Sequence, residues 1–458
     1  MANSTQQPEF AHLAEQMDAF LTDTKIPVIG YSVTLIKDGK IAYERSGGYR
    51  RYDEKDPSKC APMDRDTRYR IASISKMFTC TAIMQQVELG RMSLDGDASE
   101  YLGFPLRNPH YPDVVITPRL LMAHYGSIRD GNAYSIPKDV PISECFLPGG
   151  RYYGEAEHFA APDGVHNMAP GGGYYVYSNL NYGLLGTMIE RLSGERFDRY
   201  MRKHVFEPLG AQASFNPGDF DKEQINHLAA IYKRCKNGIW AVDQPWTAQM
   251  DDYQGEVQDP NVVLISNPDL GLANYEENVS DYRIGTNGTI FSPQGGARIS
   301  AHELALFGMM LLNKGVAANG NRIISEESVK QLCTPVWVDD PVLENRCQTD
   351  STHAYGAGIS IISTEIGGDH MVPERDDITL FGHTGSAYGL LSACFVDPAR
   401  KVGFAYAFNG LGADQETHRG EKTHRAIWQE RMMEIINQAL ANGLVLMSAG
   451  SDVLRFVP

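Results

Sequence analysis

The sequence predicts an α+β fold: an antiparallel sheet built from both chain termini and flanked by terminal helices, with a mainly helical region inserted in the middle. Three observations carry that expectation. A hairpin signal lies near the start, a second lies near the end, and an amphipathic helix stands outside each of them. The chain reads as a single domain, residues 1–458, with an α/β part at about 9–70 and 295–442, a mainly helical part at about 71–212, and a long irregular insertion at about 213–290.

The opening helix spans roughly residues 9–22 and leads into Gly30-Tyr31-Ser32-Val33-Thr34-Leu35-Ile36. Lys37-Asp38-Gly39-Lys40 follows, then Ile41-Ala42-Tyr43-Glu44; Asp-Gly between two β-rich runs signals a hairpin. Near the other end, Leu390–Val396 and Val402–Phe408 flank Asp397-Pro398-Ala399-Arg400-Lys401 in the same way, and the periodic stretch from about Thr423 to Asn442 closes the chain as a helix. Between them, Met77, Phe78, Ile83, Met84, Val87 and Leu89 mark a buried helix that stops at Gly90, a residue suited to a left-handed cap. Two stretches, about 132–172 and 213–290, show no sustained period and read as lids or binding walls.

With 458 residues and 42% hydrophobic content the chain can bury a substantial core. Its formal charge of −16 argues against nucleic acid or an anionic membrane as partners, because both are repelled by an acidic surface. No window approaches the ~20 apolar residues that span a bilayer, and the start lacks a basic-then-apolar signal pattern. The seven cysteines (Cys60, Cys80, Cys145, Cys235, Cys333, Cys347, Cys394) are scattered and lack CxxC spacing, which suggests neither a zinc site nor a disulfide framework. A cytoplasmic protein with reduced thiols is expected, with a periplasmic or secreted form trimmed of its leader as the alternative. No cofactor or metal is called for; His302-Glu303 opens like a zinc-protease motif, but position 306 is Leu.

Chemistry enters with Ser73-Ile74-Ser75-Lys76, which sets a hydroxyl and an amine one helical turn apart at the mouth of the buried helix. A second Ser-x-x-Lys, Ser135-Ile136-Pro137-Lys138, is interrupted by proline and is set aside. Serine is a poor nucleophile until a neighbour takes its proton, and an ordinary lysine is mostly protonated at neutral pH. Lys76 therefore needs burial or a nearby positive charge, or a tyrosine must share the proton. The Gly-rich entry Gly171-Gly172-Gly173 leads to Tyr177-Ser178-Asn179 at the start of another apolar run, which supplies such a tyrosine. A third segment, Phe381-Gly382-His383-Thr384-Gly385-Ser386-Ala387-Tyr388-Gly389, is rich in small residues that let a strand edge approach a substrate and offer a backbone N–H to an oxyanion.

Together, Ser73-Ile74-Ser75-Lys76, Tyr177-Ser178-Asn179 and His383-Thr384-Gly385 resemble, in order and context, the three motifs of the penicillin-binding-protein and class C β-lactamase superfamily of serine hydrolases. The likeness extends to Ile26–Gly30, Leu94–Leu102, Thr117–His124, Gly295–Ser300 and the final strands. It implies Ser73 as acylated nucleophile, Lys76 and Tyr177 as sharers of the proton transfers, and Asn179 as a partner of the substrate amide or of Lys76. It further implies an oxyanion hole from the N–H groups of Ser73 and Ser386, with His383 and Gly385 lining the strand-edge side of the cleft.

Two departures bear on specificity. Drug-hydrolysing and peptidoglycan-cleaving members typically carry Lys in the third motif, whereas His383 holds no fixed charge at neutral pH, so the pattern looks more like the D-aminopeptidase, amidase and esterase branches. The usual Ser-Gly after His124 is inverted as Gly126-Ser127. The resemblance thus implies a serine hydrolase acting on a small-molecule or short-peptide substrate, with peptidase or amidase chemistry favoured over esterase and weak β-lactamase activity alongside. An acyltransferase using an amine or alcohol acceptor, and a non-catalytic peptide- or β-lactam-binding homologue, are the alternatives.

Overall fold

The computed structural model describes residues 8–267, 272–340, 342–345, 352–372, 375, 377–423 and 425–449. Cys347 and the start of the chain through residue 7, both used in the sequence reading, lie outside the described residues.

Helix α1 (Pro8–Thr22) precedes strands β1 (Val28–Lys37) and β2 (Lys40–Arg51). Their connection is the Asp-Gly turn, with φ of 49° at Asp38 and 76° at Gly39; two consecutive left-handed residues make the tight turn that matches strand twist. From the other end come β3 (Ser360–Ser363), β4 (Thr379–Ala387), β5 (Leu390–Asp397) and β6 (Val402–Leu411). The central run of the sheet is β3-β4-β5-β6-β1-β2, in which neighbours are antiparallel, and the two chain ends meet where Val33 pairs with Tyr406. The α+β architecture expected from the hairpins is the one observed.

Alternation along the central strands assigns the two faces. Val33 and Leu35 of β1, with Phe404, Tyr406 and Phe408 of β6, pack under α1 and the closing helix α5, which spans Ile427–Ala449 and contributes Trp428, Met432 and Met433. Trp428 Nε1 donates to the Ile26 carbonyl at 2.9 Å and ties that helix to the entrance of β1. The opposite face carries Ile36, Cys394, Val396, Ala405 and Ala407 against the helical region. Small residues there let helix α4 (Ala301–Leu312) lie close; a Cβ on its Gly308 would meet Ile36 Cδ1 at 3.0 Å.

Helix α2 (Ser75–Glu88) runs almost wholly buried through the inserted region and ends beside Gly90, whose φ is 69°. It packs with α3 (Leu180–Ser193), which is closed by Gly194 in the same left-handed conformation. The stretch read as irregular at 213–290 contains two antiparallel hairpins: Ile231–Lys236 pairs with Trp246–Met250, and Val262–Asn267 with Leu272–Asn278. These strands are short, five to seven residues each, and those of the first hairpin are mostly half-buried, without the alternation that marks a strand with one buried face. Residues 132–172 are turns and bends around a single 3-10 turn, Ile142–Cys145. Among the described residues no helix is long and apolar enough to cross a membrane.

Candidate active site

The chain leaves the short strand Arg68–Arg70, paired with Arg298–Ser300, and turns through Ala72 at φ 51° before a 3-10 turn, Ala72–Ile74, runs directly into α2. A non-glycine residue in the left-handed region is held there at a cost of about 1–2 kcal/mol. The surroundings supply the constraint: Ile71 N donates to Ala297 O at 3.0 Å, Ala297 N to Ser75 Oγ at 3.0 Å, and Ser392 Oγ to Ile71 O at 3.0 Å. Ser73 thus stands half-buried at the mouth of α2, in the 3-10 turn rather than in the α-helix proper.

Lys76 lies one turn on and is fully buried. Its Nζ donates to Ser73 Oγ at 3.1 Å, to Asn179 Oδ1 at 3.0 Å and to the Gln294 carbonyl at 3.1 Å. The ammonium also sits 4.7 Å from the ring centroid of Tyr177 and 5.2 Å from that of Tyr182. Ser73, Lys76, Tyr177 and Asn179, scattered over a hundred positions of sequence, are therefore brought together around one nitrogen.

Tyr177-Ser178-Asn179 is fastened to that position by residues the sequence reading did not single out. Asp130 accepts from Ser178 Oγ, Asn179 Nδ2 and Leu180 N at 3.0, 2.9 and 2.9 Å. His124, at φ 56°, stacks on Tyr177 with ring centroids 4.2 Å apart, and its Nδ1 accepts from Ser178 N at 3.0 Å. The inverted pair after His124 places Ser127, not glycine, in the left-handed conformation at φ 61°. Its hydroxyl accepts from Asn108 Nδ2 at 2.7 Å and donates to Met168 O, bonds that a glycine there could not make.

The third motif lies in β4. From His383 to Ala387 this strand pairs with β5 on one side, while its pairing with β3 ends at Gly382; among the described residues no strand covers the other edge. Gly385 lies against the turn that carries Ser73: a Cβ there would meet Ile71 O at 2.2 Å and Ser392 Oγ at 2.4 Å, so no larger residue fits without moving the nucleophile. The Ser386 side chain is exposed and its hydroxyl donates to Gln415 Oε1 at 2.9 Å.

His383 is turned inward. Its ring is buried, with Nδ1–H donating to the Thr384 carbonyl and Nε2 accepting from Tyr355 OH at 2.8 Å. Burial, reinforced by the positive charge of Lys76, holds its pKa down at about 3. The imidazole is neutral at any working pH and is spent on Tyr355 instead of being offered at the cleft as a cation.

These buried imidazoles make the fold acid-sensitive. His124 is held well below the ordinary range by burial, then by Lys76 and His383. In the unfolded chain a histidine titrates near 6.5, so between there and its folded value the unfolded state binds more protons. Stability from each is complete above about pH 6.5 and is lost as pH falls, with a slope on the order of 1 kcal/mol per pH unit. Glu190 acts oppositely: burial lifts its pKa to about 7, so it favours the folded state more at the acid end. The comparison that isolates His383 is wild type against His383→Gln. We expect the variant to lose less melting temperature than wild type between pH 7 and pH 5, and equal losses would show that His383 does not titrate on unfolding.

The sequence model of the Beta-lactamase family matches residues 11–426, nearly the whole chain. The chain belongs to the beta-lactamase family. Membership supports a serine-hydrolase type of reaction. Protein flp of Staphylococcus aureus (strain NCTC 8325 / PS 47) is 27% identical over 180 residues, 39% of this chain and 33% of flp, so the match spans a third of that relative's length. Penicillin-binding protein 4 of Amycolatopsis lactamdurans is 23% identical over 409 residues, 88% of this chain and 86% of that protein. Among solved structures, the octameric penicillin-binding protein homologue from Pyrococcus abyssi superposes with a TM-score of 0.60 at 21% identity, covering 95% of this chain and 77% of that one. The D-amino acid amidase from Ochrobactrum anthropi SV3, complexed with D-phenylalanine, gives 0.59 at 16% identity, covering 95% and 100%. At such identities what this beta-lactamase-family chain shares with them is the fold.

Proposed function

We propose that this chain hydrolyses an amide or ester bond through an acyl-Ser73 intermediate, with peptides and amino-acid amides preferred. The observation that carries the reading is the contact of Lys76 Nζ with Ser73 Oγ at 3.1 Å, inside a site where Asn179 and the Tyr177 ring hold the same nitrogen. Ser73 Oγ attacks the substrate carbonyl as its proton passes to Lys76 in its neutral-amine form, or to a Tyr177 phenolate held by the Lys76 ammonium. The N–H groups of Ser73 and Ser386 receive the oxyanion. The proton then goes to the departing amine or alcohol, and the C–N or C–O bond breaks to leave acyl-Ser73. Water enters, gives up a proton along the same route, and releases the acid and free Ser73.

The neutral, inward-facing His383 supports substrates that present no carboxylate at the third motif. Amides and esters fit that description, and an amidase with the same fold is in keeping with it. The test is a panel of L- and D-aminoacyl amides, short peptides, p-nitrophenyl esters and a chromogenic cephalosporin, read by turnover and by the mass of the intact protein. We expect aminoacyl amides to be turned over fastest, with the acyl mass found on the peptide containing Ser73. No turnover of any member and no added mass would overturn the proposal.

A further inference from the structure

We infer that Asp130 is a positioning residue for this site, whose carboxylate fixes which end of the Asn179 amide faces Lys76. The inference rests on the reading of Ser73 as nucleophile and of Lys76 as its partner in proton transfer. Three donors from consecutive residues converge on Asp130: Ser178 Oγ and Leu180 N reach Oδ1 at 3.0 and 2.9 Å, and Asn179 Nδ2 reaches Oδ2 at 2.9 Å. Leu180 opens α3, and Asn179, although it stands at the cap position, makes no capping bond with its own side chain. Asp130 caps the helix from a distant segment and places a negative charge where the helix dipole favours one.

The consequence for Lys76 follows from the asymmetry of an amide. An ionised carboxylate is an acceptor only, so Asn179 must turn Nδ2 toward Asp130, which leaves Oδ1 to accept from Lys76 Nζ at 3.0 Å. A flipped Asn179 would set N–H groups against the ammonium and two oxygens against each other. Asparagine at position 130 keeps one acceptor oxygen for Ser178 Oγ and Leu180 N and turns its NH2 toward Asn179 Nδ2. Relief comes by flipping Asn179, and Lys76 then loses an acceptor and its alignment on Ser73. Nothing is transferred to or from Asp130; its effect on Lys76 passes through Asn179.

The experiment is a coupling measurement with p-nitrophenyl acetate on the full chain: wild type, Asp130→Asn, Asn179→Ala and the double variant, each with a thermal melt. We expect Asp130→Asn to lower kcat by about 10²-fold, as misplacement of a reacting group does, with KM within about threefold of wild type. In the Asn179→Ala background the same change should lower kcat by less than about threefold, because its route of action is already gone. Asp130→Glu, which remains an acceptor only, should recover about tenfold over the Asn variant. Wild-type kcat in Asp130→Asn, or fully additive losses in the double variant, overturns the inference. If Asp130→Asn does not fold, Asp130→Glu in the two backgrounds gives the same coupling. Ser73→Ala assayed alongside separates the outcomes: full activity there removes the underlying reading, whereas an inactive Ser73→Ala with additive Asp130 losses removes this inference only.

Discussion

Ser73→Ala is expected to lose at least about 10⁴-fold in kcat/KM against every substrate the protein turns over, because removing the nucleophile closes the covalent route and leaves only binding and oxyanion stabilisation. The loss should be chemical, not structural. Ser73 sits half-buried in a 3-10 turn held by bonds that do not involve its hydroxyl, from Ile71 N to Ala297 O, Ala297 N to Ser75 Oγ and Ser392 Oγ to Ile71 O. Alanine fits that turn, and Lys76 keeps its bonds to Asn179 and the Gln294 carbonyl without the one to Ser73. The melting temperature should therefore stay close to wild type, and the substrate should still bind. Steady-state kinetics on the panel together with a thermal melt checks this. A stable Ser73→Ala protein that keeps more than about a tenth of wild-type kcat/KM would remove acyl-Ser73 from the mechanism.

What could be read from the sequence was whatever has a local cause. Asp38-Gly39 gave the first hairpin away because two left-handed residues in succession leave few alternatives, and Gly90 marked the end of α2 for the same reason. The grouping of Ser73 with Lys76 needed only helical spacing. Tyr177 and the segment of His383 stand out by their glycine-rich surroundings, but their grouping with Ser73 and the role of Asn179 come from the resemblance, since no local pattern links residue 76 to residue 179. Asp130 escaped both routes: an acid in a turn is commonplace, and its meaning lies in three donors arriving from 48 to 50 positions away. His383 illustrates the converse. Its presence in the third motif was evident, but the direction of its ring depends on the Tyr355 hydroxyl, which comes from a separate short strand, Ala354–Tyr355. The hairpins between 231 and 278 escaped because their pairing partners, not their own alternation, make them strands.

Lys76→Met carries the second large effect and probes the step Ser73→Ala cannot, the fate of the nucleophile's proton. Methionine matches the length of the lysine stem and can keep its packing against the faces of Tyr177 and Tyr182. It leaves the Asn179 amide oxygen and the Gln294 carbonyl without the donor they now have, at about 1–3 kcal/mol each. Against that, the variant no longer holds a charge out of water, a relief of several kcal/mol. The two terms oppose each other, so stability should change little. Catalysis has no such offset. With no amine 3.1 Å from Ser73 Oγ, proton removal falls to Tyr177 alone, a phenol that has lost the neighbouring cation, and kcat should fall by about 10²–10⁴-fold. Single-turnover acylation by p-nitrophenyl acetate measures that step directly. If the methionine variant acylates within about threefold of wild type, Lys76 orients the site without moving the proton, and Tyr177 becomes the base.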